Sequence, residues 1–71
     1  MGHPELNNRL KVLRAERDWT QAELAARVGV SRKTINTIER GVFAPSAILA
    51  LKIAQAFGVP VEKVFELNNP S

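Results

Sequence analysis

Glycine and proline interrupt this chain at Gly29, Gly41, Pro45, Gly58 and Pro60, and the apolar stretches between them are long enough only for short helices. A chain of 71 residues without cysteine has no disulfide framework. Its stability must come from efficient packing of those short helices, from a second subunit, or from both. Almost half of the residues are apolar (45%), which suits one folded core and excludes a disordered chain. One domain, residues 1–71, is therefore expected.

Periodicity assigns the segments. Leu6, Leu10 and Leu13 fall at helical spacing and predict a first helix over about Asn8 to Arg17. Thr20 and Glu23 have the spacing of a capping box and open a second helix that runs to Val28, with Leu24, Ala25 and Val28 inward. Gly29 closes it. Ser31 caps a third helix from Arg32 to about Arg40, with Ile35 and Ile38 as its inward pair. Ser46 caps a fourth, Ala47 to Phe57, which turns Leu49, Ala50, Ile53, Ala54 and Phe57 inward. Pro60 suits the first position of a short fifth helix to about Lys63. Val64 to Leu67 fits either a continuation of that helix or a short strand. The tail from Asn68 to Ser71 is expected to fray.

The second and third helices are joined by Gly29-Val30-Ser31 alone. So tight a turn crosses them steeply, and small Ala25 suits the close approach. This is the helix-turn-helix arrangement, over about residues 21–40, which lays its second helix in the major groove of DNA. The outward face of that helix carries Ser31, Arg32, Lys33, Asn36, Thr37 and Arg40, none of them apolar. Arginine and lysine donate to guanine O6 and N7, asparagine can pair bidentately with adenine, and a threonine methyl can meet the methyl of thymine. A net charge of +3 favours a polyanionic partner.

The run Gln21-Ala22-Glu23-Leu24-Ala25-Ala26-Arg27-Val28-Gly29-Val30-Ser31-Arg32-Lys33-Thr34-Ile35-Asn36-Thr37-Ile38-Glu39-Arg40-Gly41 resembles the lambda-repressor/Cro-type helix-turn-helix family. So does Pro45-Ser46 followed by Leu49 to Pro60, and the resemblance extends over roughly Leu10 to Phe65. It implies an all-α, five-helix DNA-binding domain and a bacterial or phage regulator of transcription. Gln21 falls where the family uses a glutamine on phosphate and on the recognition helix. Arg32, Lys33 and Thr37 fall on base-reading positions, and Ser31 and Asn36 lie at the groove edge. Arg40 stands where an asparagine is common, and keeps a phosphate donor. Val42-Phe43-Ala44 lacks the basic residues with which some members grip the backbone. The family also places an arginine–glutamate ion pair at Arg14 and Glu39. In short members the carboxyl-terminal segment, here residues 61–67, can form a strand that pairs with the amino-terminal segment and helps build a dimer. Glu5-Leu6-Asn7 would be the partner strand.

A symmetric homodimer on double-stranded DNA is the expected assembly, since one recognition helix covers only a few base pairs. Ile48 and Leu51 lie off the inward stripe of the fourth helix, and Phe65 and Leu67 extend past the expected core, so these four are its candidate interface. Trp19, before the cap of the second helix, suits a staple over the helix ends better than a wedge into a groove. No enzyme is expected. The serines have no histidine partner, the glycines match no phosphate-binding loop, and His3 has no companions for a metal. No cofactor, small-molecule substrate or ligand-sensing domain is expected either. The amino terminus lacks a signal peptide's regions and no apolar run could cross a bilayer, so a cytoplasmic protein with no membrane partner is expected. Two other functions fit the pattern: an antitoxin-like protein-interaction module on the same fold, and a nonspecific architectural DNA binder.

Overall fold

The computed structural model describes residues 6–68. The expectations for His3, for Glu5 and for the tail from Asn69 onward lie outside them. In chain order the fold comprises strand β1 (Leu6–Asn8), helices α1 (Leu10–Arg17), α2 (Gln21–Val28), α3 (Arg32–Glu39) and α4 (Ala47–Phe57), one 3-10 turn (Val61–Lys63), and strand β2 (Phe65–Leu67).

Local chemistry sets the helix starts. The Thr20 hydroxyl accepts from the Glu23 N–H at 3.0 Å, and the Glu23 carboxylate accepts from the Thr20 N–H at 2.9 Å, which completes the capping box of α2. Ser31 and Ser46 cap α3 and α4 by accepting from the N–H groups of Thr34 and Leu49, both at 3.1 Å. Gly29 ends α2 at φ +77°, a left-handed conformation that strains any residue with a Cβ. Asp18 ends α1 in the same region (φ 61°), which its short polar side chain tolerates.

The start of α1 departs from the sequence pattern. The helix begins at Leu10, and Leu6 belongs to β1 instead of the helical stripe. Asn8 accounts for the difference. Its side-chain oxygen accepts from the Leu10 N–H at 3.2 Å, and its amide nitrogen donates to the carbonyl of Ile38, at the end of α3, at 3.0 Å. The backbone of Leu6–Asn8 pairs antiparallel with Phe65–Leu67, Leu6 opposite Leu67, and the Arg9 N–H donates to the Val64 carbonyl at 2.8 Å. A helix starting at Asn8 would forfeit these bonds.

Nor is there a fifth α-helix among the described residues. Within them, four α-helices and a two-stranded antiparallel sheet make the fold, with a single 3-10 turn after α4. Pro60 precedes that turn instead of opening it, and its carbonyl accepts from the Lys63 N–H at 2.9 Å. With residues 65–67 committed to β1, too little chain remains to propagate a helix, whose first turn is its costly part.

One core joins the elements: Leu10 and Leu13 of α1, Leu24, Ala25 and Val28 of α2, Ile35 and Ile38 of α3, Ile53, Ala54 and Phe57 of α4, and Val64. Leu49 and Ala50 are half-buried at its margin. Phe65 does not lie beyond the core, as expected from sequence, but packs partly against it. Trp19 covers the core from the α1–α2 junction. Its ring stacks on Phe57 at 5.3 Å, the Arg27 guanidinium lies 4.0 Å above it, and Arg17 lies over Phe57 and donates to the Phe57 carbonyl. So engaged within the fold, the ring serves as a cover and not as a wedge. No helix among the described residues is long and apolar enough to cross a membrane.

Candidate nucleic-acid interface

The α2–turn–α3 unit is fixed from inside. Leu24, Ala25 and Val28 meet Ile35 and Ile38 in the core, and burying this face of α3 forces the other outward. Ser31, Arg32, Lys33 and Arg40 are exposed there, with Asn36 and Thr37 half-buried between them. Positions 33, 36, 37 and 40 follow helical spacing, so they form one stripe along α3. The cationic groups of Arg32, Lys33 and Arg40 make no ion pair among the described residues. Arg40 stands at the C-terminal cap, before Gly41 turns the chain away at φ +74°.

The hydroxyls on this face are partly spent. Ser31 Oγ caps α3 and lies 3.0 Å from Thr34 Oγ1. Thr37 Oγ1 donates to the Thr34 carbonyl at 2.9 Å, so outward it offers a methyl group and an acceptor.

Behind the stripe a polar chain runs from α1 to α3. Arg14 Nε donates to Glu39 Oε2 at 2.6 Å and an Arg14 terminal nitrogen donates to Oε1 at 3.0 Å, a two-pronged ion pair. Another nitrogen of the same guanidinium donates to the Trp19 carbonyl at 2.9 Å. The two side chains are 14% and 8% exposed, so the pair is largely shielded from water. The hydrogen bonds to Glu39 hold the Arg14 guanidinium above its usual range; burial opposes this and the carboxylate charge adds to it. Gln21, the first residue of α2, donates from Nε2 to Glu39 Oε1 at 3.1 Å and to Asn36 Oδ1 at 3.2 Å. Arg14, Gln21, Asn36 and Glu39 are thus one connected group of side chains, whereas the side chains of Arg32, Lys33, Thr37 and Arg40 share a face without a hydrogen bond to it among the described residues.

Two features were not legible in the sequence. The Asn8 bond to the end of α3 joins residues 30 positions apart, and no local pattern marks it. Val42 and Phe43, 38% and 48% exposed, line an open groove of about 350 Å³ with Lys33, Thr34 and Thr37. Their apolar character beside a polar helix was the only sign. On another part of the surface, Ile48 and Leu51 of α4 border an apolar groove with Val59, Pro60 and Val61 and are 70% and 58% exposed. Leu67 is 71% exposed on β2.

The helix-turn-helix family model matches residues 10–64. The chain belongs to the lambda-repressor/Cro-type helix-turn-helix family of transcriptional regulators. Double-stranded DNA is the partner this family implies. The chain is 50% identical over 60 residues to an uncharacterised HTH-type transcriptional regulator of the archaeon Methanocaldococcus jannaschii, covering 84% of this chain and 91% of that one. It is 33% identical over 58 residues to the cryptic phage CTXphi transcriptional repressor RstR of Vibrio cholerae, covering 82% of this chain and 52% of the repressor. Among solved structures it resembles the restriction-modification controller protein C.AhdI of Aeromonas hydrophila. The TM-score is 0.74 and the identity 31%, over 78% of this chain and 83% of that protein. Relatives of this helix-turn-helix regulator therefore occur in archaea as well as bacteria.

The ion pair yields a test. Removing one partner strands the other charge in a shielded site, so Arg14→Ala and Glu39→Ala should each lose about 3 kcal/mol of stability in urea melts. The double variant should lose less than the sum of the two. Losses below about 1 kcal/mol in both single variants would assign the pair the weight of a surface contact.

Proposed function

We propose that this chain is a sequence-specific DNA-binding regulator, acting as a repressor, which binds a palindromic operator as a homodimer with α3 in the major groove. The observation that carries this reading is the stripe on α3. Arg32, Lys33, Asn36, Thr37 and Arg40 form a continuous polar face whose cations have no acidic partner among the described residues, on a helix packed against the core and tied to α1 by the Arg14–Glu39 pair. In this reading Arg32 and Lys33, in the first turn of α3, read base edges and Thr37 offers its methyl to thymine. Arg40, the backbone N–H of Gln21 and the N-terminal ends of α2 and α3 hold phosphates, and Ser31 sits at the groove edge. The Vibrio relative is named a transcriptional repressor, which supports repression as the outcome of operator occupancy.

The exposed apolar residues support the dimer. Ile48 and Leu51 beside their groove, and Leu67 on β2 with the uncovered part of Phe65, are large apolar surfaces for so small a chain. Residues 61–67 contribute to that interface, while their strand pairing with β1 is made within one chain. Two α3 helices would then meet successive major grooves about 34 Å apart.

In vitro selection from random DNA tests the function. A palindromic site should emerge, and affinity for it should fall with salt at a log–log slope of several units. Arg32→Ala and Lys33→Ala should each cost about 1–3 kcal/mol on that site and relax one base pair. Enrichment of no sequence, or DNA binding that required a second protein, would overturn the reading in favour of an interaction module. Light scattering at micromolar concentration tests the assembly. A dimer mass is expected for the wild type, and Leu51→Asp should halve it and weaken operator binding without changing the DNA-facing residues. A monomer mass both free and on the selected site would refute it.

A further inference from the structure

Among the described residues, Asn36 is the one residue of the α3 stripe whose side chain is hydrogen-bonded by another element, and the way it is held restricts what it can present. Glu39, as a carboxylate, only accepts hydrogen bonds, and its two bonds from Arg14 fix its position. Gln21 lies 3.1 Å from it and must therefore turn its amide nitrogen toward it. The same nitrogen is 3.2 Å from the Asn36 side chain. Having two N–H groups, it can serve both neighbours, but only if Asn36 offers an acceptor. Asn36 must turn its oxygen toward Gln21 and its NH2 group away. Each amide orientation in this series follows from the one before, beginning with the charge on Arg14.

We propose that this relay makes Asn36 a donor-only reader, which selects a base edge presenting two acceptors, guanine N7 and O6, over adenine. An asparagine pairing bidentately with adenine needs its oxygen for the N6 amino group and its nitrogen for N7. Here the bond from Gln21 turns that oxygen toward α2, so the end of the amide left to face outward is its NH2 group. The NH2 group alone suits guanine, whose major-groove edge carries acceptors only. Gln21 is then a positioning residue: it sets the polarity of a base contact through Asn36. The inference rests on the proposed placement of α3 in the major groove and refines the adenine contact that an asparagine on this face would otherwise be expected to make.

Selection from random DNA with wild type, Asn36→Ala and Gln21→Ala tests it. Asn36→Ala locates the base pair, as the one whose preference relaxes. The wild type should favour guanine over adenine there by about tenfold. Gln21→Ala, which frees the Asn36 amide to turn over, should abolish most of that discrimination while leaving the pairs read by Arg32 and Lys33 as selective as before. Loss of a phosphate contact by Gln21 would instead lower affinity alike for all sequences, leaving the base preference intact. Adenine at that pair in the wild type, or an unchanged preference in Gln21→Ala, would overturn the assignment. Side-chain amide exchange in the free protein, followed by nuclear magnetic resonance, checks the relay without DNA. The Gln21 NH2 should be protected and that of Asn36 should exchange freely; the reverse pattern would overturn the relay whatever DNA is selected. If the wild type enriches no sequence, the operator-binding reading fails and the donor assignment fails with it, while the exchange pattern still reports the amide geometry.

Discussion

The Arg14–Glu39 pair is the contact on which the rest of this structure depends. Ridge packing of apolar side chains tolerates some rotation of a short helix, and α3, with eight residues, buries only Ile35 and Ile38 fully. Two isoleucines a single turn apart set which side of α3 faces the core but fix its rotation loosely. A two-pronged ion pair 2.6 Å long does not permit that latitude. By tying Glu39 to α1, it fixes the azimuth of α3 and hence the direction of Arg32, Lys33 and Thr37. The net stability gained from a shielded pair is often small, because both charges lose water on folding. Its larger effect here is specificity of arrangement. Gln21 and Asn36 inherit their geometry from it.

The same constraint explains the amino- and carboxyl-terminal segments. A helix end leaves backbone carbonyls without partners inside the helix, and at α3 that of Ile38 accepts from the Gly41 N–H and takes a second bond from Asn8. Asn8 can reach it because β1 is held by β2, which in turn follows the 3-10 turn after α4. The small sheet thus braces the same end of α3 that Arg14 holds through Glu39. In a chain with no disulfide, four short helices and one core, such polar ties between elements restrict motions that apolar contact alone would permit.

What the sequence made legible was local. Thr20, Ser31 and Ser46 cap helices by bonding residues three positions on, and left-handed glycines close them, so the bounds of α2 and α4 are plain from the residues alone. Residue types along α3, polar outward and isoleucine inward, reveal the face at once. The misassigned parts depend on partners remote in the chain. Leu6 and Leu10 are four apart and fit a helical stripe, yet Leu6 pairs with Leu67. Nothing near Asn8 indicates that its amide serves α3. The fifth helix followed from Pro60 and the family resemblance, while Val64 to Leu67 stayed open between helix and strand because the partner strand lies at the other end of the chain. The donors and acceptors of Gln21 and Asn36 were likewise invisible, because an amide shows its polarity only through its neighbours.

The central claim is that α3 enters the major groove, twice per site. Methylation interference on the selected operator measures this most directly, since guanine N7 lies in the major groove and adenine N3 in the minor. Two clusters of guanines whose N7 methylation abolishes binding, about one helical turn apart on one face of the duplex, are the predicted result. Interference confined to adenine N3, or no interference at any single base, would contradict the account.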